Sequence, residues 1–149
     1  MSEKNKRRFL FLGGFLLYFG LLWTLWDTAI IYPVKLFVVL LHEVSHAAAA
    51  VATGGTVERI LLNANQGGAT YTLGGNAFLT LSAGYLGSLL WGALFIILAF
   101  NRWLRPRWIL GGVGASVLLL TLFMVRGLFG MGFGILFAAA LLAGAKFLS

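Results

Sequence analysis

Pro33-Val34-Lys35-Leu36-Phe37-Val38-Val39-Leu40-Leu41-His42-Glu43-Val44-Ser45-His46-Ala47-Ala48-Ala49-Ala50-Val51-Ala52-Thr53-Gly54-Gly55 is the stretch on which the fold turns. Proline suits the first turn of a helix, where its missing N–H costs nothing. A Gly-Gly pair is a usual helix stop. Between them, Val34–Thr53 is long enough at about 1.5 Å per residue to cross a hydrocarbon core of about 30 Å. A run of this length and apolarity predicts a membrane helix. The trio His42, Glu43 and His46 lies about 13 Å along it from Pro33, near the middle of the bilayer.

Four more apolar stretches flank this one: Phe9–Trp26, Ala77–Phe100, Trp108–Val125 and Leu128–Phe147. The last two are glycine-rich and joined only by Arg126-Gly127, so they read either as two crossings or as one tilted or re-entrant pair. The expected fold class is therefore an all-α polytopic membrane protein with four or five transmembrane helices. Composition agrees. The chain has 149 residues, 60% hydrophobic and 10% charged, against about 25% charged in a soluble domain. One membrane-embedded domain over residues 1–149 is expected, with residues 1–8 as a basic N-terminal tail. The first apolar run is long, carries bulky aromatics and lacks a small-residue cleavage site before Asp27, so it reads as a retained anchor.

The net charge of +7 does not indicate nucleic acid. Lys4, Lys6, Arg7 and Arg8 precede the first apolar run, and Arg102, Arg105 and Arg107 fill the gap between two others. Lys and Arg collect at membrane flanks in this way. With five crossings the two sides carry equal positive charge, and the weight of the first helix favours a cytoplasmic N-terminus. The chain has no cysteine, which removes disulfides and thiolate metal sites.

Residues 54–76 differ in kind. Thr56–Leu62 and Ala69–Leu73 are rich in β-branched and apolar residues, and Asn63-Ala64-Asn65-Gln66-Gly67-Gly68 between them has a turn composition. A short β-hairpin between the second and third helices is expected.

His42 and His46 are the only histidines, and Glu43 is one of four acidic residues. Residues four apart share a helix face, so both imidazoles can address one zinc ion. Glu43 is then placed as the base for a zinc-bound water. Ionisable groups at mid-membrane are costly and usually functional. The plainer alternative is that all three hydrogen-bond to neighbouring helices. Small residues at Ala47–Ala50, Gly84, Gly87 and Ser88 predict close packing of the third helix on this one. Tyr85 reads as packing or polar support, and Lys35 as an interfacial snorkel.

Leu41-His42-Glu43-Val44-Ser45-His46-Ala47 continues into Thr53-Gly54-Gly55, Val57-Glu58-Arg59-Ile60, Gln66-Gly67-Gly68-Ala69-Thr70 and Ser82-Ala83-Gly84-Tyr85-Leu86-Gly87-Ser88. In order and spacing, over about residues 33–100, this resembles the site-2 protease-like intramembrane zinc metallopeptidases, most closely their small bacterial branch. The resemblance implies a zinc-dependent endopeptidase of a bacterial cytoplasmic (inner) membrane, acting on membrane-protein or peptide substrates in the lipid bilayer. His42 and His46 would be zinc ligands, Glu43 the catalytic base, and the hairpin a strand-addition site for substrate. An interfacial connector is the other reading of the hairpin.

One part of the pattern is missing. A catalytic zinc takes three protein ligands, and the third in the resembled family is an aspartate on a later helix. Here no aspartate follows Asp27, and Glu58 is the only acidic residue beyond His46. Three explanations stand: a truncated C-terminus, substitution by Asp27 or Glu58, or a non-catalytic scaffold or inactive homologue. A metal transporter is disfavoured, since no second polar helix continues a path across the membrane.

Overall fold

The computed structural model describes residues 2–148. The order is α1 (Glu3–Leu25), α2 (Tyr32–Ala52), β1 (Thr56–Leu62), β2 (Gly68–Leu73), α3 (Ala77–Phe100), α4 (Pro106–Phe123), β3 (Val125–Arg126) and α5 (Leu128–Phe147). All five helices, 18 to 24 residues long, are long and apolar enough to cross a membrane. α4 and α5 are thus two separate helices. The chain divides into two compact units between Lys35 and Leu36.

In the first unit, α1 begins at Glu3, so the helix takes in most of the basic tail. Nothing between Glu3 and Arg8 breaks a helix, and Lys and Arg are good helix formers. No residue of α1 is buried. Phe11, Phe15 and Phe19 stack at helical spacing, with ring centroids 6.5 and 6.4 Å apart. Lys35 Nζ lies 3.3 Å from Asp27 Oδ1 and 4.7 Å from the centre of the Trp26 ring.

The second unit is built around a three-stranded sheet, in the order β2-β1-β3. β1 and β2 are antiparallel, with Ile60 opposite Thr70 and Leu62 opposite Gly68. The turn closes through Asn63 N–H donating to Gly67 O, and Gln66 takes the left-handed conformation (φ 66°). The register shifts between Val57 and Arg59, leaving Glu58 as the extra residue of a bulge. On the other side β1 pairs in parallel with β3, Ile60 opposite Val125. That third strand was not expected. It takes Val125, read as the end of the fourth apolar run, and Arg126, read as part of the joint that follows, and α4 stops at Phe123.

The hairpin folds back along α2. Gly54 (φ 86°) reverses the chain, and Gly55 N–H donates to Ala50 O. At the far end, a Cβ on Gly68 would fall 2.8 Å from Val39 Cγ1. From Ala50 to Val39 is about 16 Å of helix. The hairpin is therefore packed against α2 within the unit. Ile60, Leu62 and Val125 join Leu40, Ala47, Val117 and Ala138 in one buried core.

α4 and α5 pack through glycines. A Cβ on Gly134 would strike Thr121 Oγ1 and fall 2.6 Å from its Cγ2 and 2.9 Å from its Cβ. Thr121 is fully buried, and its hydroxyl is committed to Val117 O at 2.7 Å. Overpacking of this kind costs about 1–3 kcal/mol. Gly134→Ala is expected to lower Tm in detergent by several degrees. Gly132→Ala, whose Cβ meets nothing within 4 Å, is expected to leave Tm unchanged.

Candidate metal centre

α2 presents His42 and His46 toward α3 and Glu43 toward β2. The two imidazoles meet edge to face, with ring centroids 4.7 Å apart, and their Nε2 atoms lie 3.1 Å from each other. α3 sets both rings from behind. His46 Nδ1 is 2.6 Å from Thr80 O. A carbonyl only accepts, so Nδ1 carries the proton and Nε2 the lone pair. His42 Nδ1 is 3.3 Å from Ser88 Oγ, whose own proton goes to Gly84 O at 2.9 Å. The Ser88 oxygen is thus left to accept, which assigns the same tautomer to His42.

Two lone pairs facing each other at this distance repel unless a proton or a metal ion is shared between them. Zinc bonds imidazole nitrogen at about 2.0–2.1 Å in tetrahedral sites, which places two such ligands about 3.3 Å apart. The pair fits two positions of a zinc site, and each ring has the outer hydrogen bond that metal-bound histidines normally have. Gly84 keeps the space open. A Cβ there would fall 2.5 Å from His42 Nε2 and strike His46 Nε2. Tyr85 stands edge-on to His42 with ring centroids 5.0 Å apart, and is 82% exposed.

Glu43 is 5% exposed. Thr70 Oγ1 lies 2.7 Å from Glu43 Oε2 and 2.9 Å from Glu43 O. Gly68 passes so close that a Cβ would sit 2.5 Å from Glu43 Oε1. Ser45 receives Trp91 Nε1–H at 3.1 Å and donates to Leu41 O, a packing role.

Asp27 pairs with Lys35, and Glu58 is exposed on its bulge. Among the described residues no three of His, Cys, Asp or Glu gather where a metal could be held. Sequence reasoning treated Ser88 as scaffold, and it passed over Thr80 and Thr70. Thr80 acts through its backbone, which no side-chain pattern marks. Thr70 carried a faint signal as a polar β-branched residue in an apolar strand.

Five membrane-length helices, a buried carboxylate and a matched pair of imidazole nitrogens define an integral membrane protein with a polar centre. A family model described as Peptidase M50B-like matches residues 15–149. The chain belongs to that family, the site-2 protease family, which supports a membrane metallopeptidase kind of function. Comparison with curated proteins and with solved structures gives no match.

Proposed function

We propose that this protein is a zinc-dependent intramembrane endopeptidase that hydrolyses peptide bonds of membrane proteins. The observation that carries the reading is the pair of Nε2 lone pairs 3.1 Å apart, each fixed from behind by α3. His42 and His46 would hold the metal. Zinc held there would supply a Lewis acid that makes a nucleophilic water available near neutral pH. Glu43 takes the proton from the attacking water, holds it on a carboxylate oxygen and passes it to the leaving amine nitrogen. β2 has no further strand beside it among the described residues. An extended peptide adds there, and backbone hydrogen bonds hold it. The bilayer is that of a bacterial cytoplasmic membrane, with the N-terminus cytoplasmic.

The lack of a third acidic or histidine donor at the pair, among the described residues, favours a second reading, a non-catalytic homologue. Zinc content decides the first step. Detergent-purified wild type, made without chelator and offered zinc, is expected to hold about one zinc per chain, and His46→Ala to lose it. Metal-free wild type would sink the protease reading.

A further inference from the structure

We propose that Thr70 is a positioning residue through which the edge strand β2 sets the carboxylate of Glu43, so that a peptide seated along β2 and the base act as one geometric unit. This rests on the protease reading above. In a strand, alternate residues share a face. Gly68 and Thr70 both face α2, and both touch Glu43. Gly68 closes one side of the carboxylate, where any larger residue would collide with Oε1 and Cγ. Thr70 holds the other oxygen. Its single proton has two acceptors within reach, at 2.7 and 2.9 Å. The carboxylate oxygen is the nearer of the two.

The strand behind this contact is firmly seated. Thr70 lies opposite Ile60, which is fully buried and is paired on its other side with Val125. β2 is bound to that frame by one edge only. A peptide added to the open edge hydrogen-bonds to the strand that carries the Glu43 contact. Binding and proton transfer therefore share one strand.

The test uses the full chain in detergent with three variants and two readouts. An internally quenched peptide with an apolar Leu/Gly core is the substrate probe. Thr70→Val keeps the shape and loses the hydroxyl. It is expected to lower kcat about 10–100-fold with KM changed less than about two-fold, and Thr70→Ser is expected to restore kcat to within about three-fold of wild type. The second readout needs no turnover. Thr70→Val is expected to lower Tm by about 3–6 °C in the wild-type chain and by clearly less in Glu43→Ala, where the hydroxyl has only the backbone carbonyl of residue 43 left to lose. Equal losses in both backgrounds would mean that Thr70 serves only the Glu43 backbone carbonyl, and would overturn the proposal. So would an unchanged kcat in Thr70→Val beside an active wild type. A wild type that binds zinc but cleaves nothing, with the Tm coupling intact, overturns instead the protease reading and the catalytic role of the contact with it.

Discussion

Glu43→Gln is expected to abolish most peptide cleavage while leaving the metal in place. Glutamine has the shape of glutamate, and its amide oxygen can still accept the Thr70 hydroxyl now 2.7 Å from Oε2. The side chain should therefore stay between Gly68 and Thr70. It loses only the ability to take up a proton, a contribution of about 10²–10⁴-fold for a positioned base. Zinc should be retained, because the histidine nitrogens face α3 and their outer partners, Thr80 and Ser88, are untouched. Measuring kcat and zinc on the same preparation tests both halves. Cleavage within about three-fold of wild type would remove Glu43 from the mechanism.

Gly84→Ala is expected to weaken zinc binding by about ten-fold or more. The added Cβ would meet His42 Cε1 and Nε2 at 2.5 Å, together with His46 Nε2. Neither ring can swing aside at low cost, since both are held at Nδ1 by the helix that carries Gly84. Relief requires α3 to move off α2 or the rings to give up Thr80 and Ser88. Loss of outer partners typically costs metal sites about 10–100-fold in affinity. Zinc affinity is expected to fall by at least that much. Gly92→Ala on the same helix, with nothing within 4 Å of its Cβ, is the control. A Gly84→Ala protein that binds zinc as tightly as wild type would place the metal elsewhere.

The helices were largely legible because hydropathy is a local property. Ala77–Phe100 and Leu128–Phe147 have the ends that composition predicts, and α2 differs by a residue or two. The ends that moved have local causes. Proline at 106 starts α4 earlier than the first apolar residue, and the charged segment after Ser2 simply continues α1. β3 was not legible. A two-residue strand shows no alternation, and Val125 looks like one more apolar residue at the end of a membrane run.

The sequence by itself determined the membrane class, the position of each long apolar run, and the placing of His42 and His46 on one face of α2. Those follow from the helical repeat and from the cost of burying polar groups, which act within a few turns of chain. Only the tertiary structure decided which nitrogens face each other, since Thr80 and Ser88 choose the tautomers from 34 and 46 residues away. It also decided that the hairpin lies against α2 and that Thr70 holds Glu43. Those outcomes depend on backbone pairing from β2 through β1 to Val125, and pairing between distant strands leaves no periodic mark on either of them.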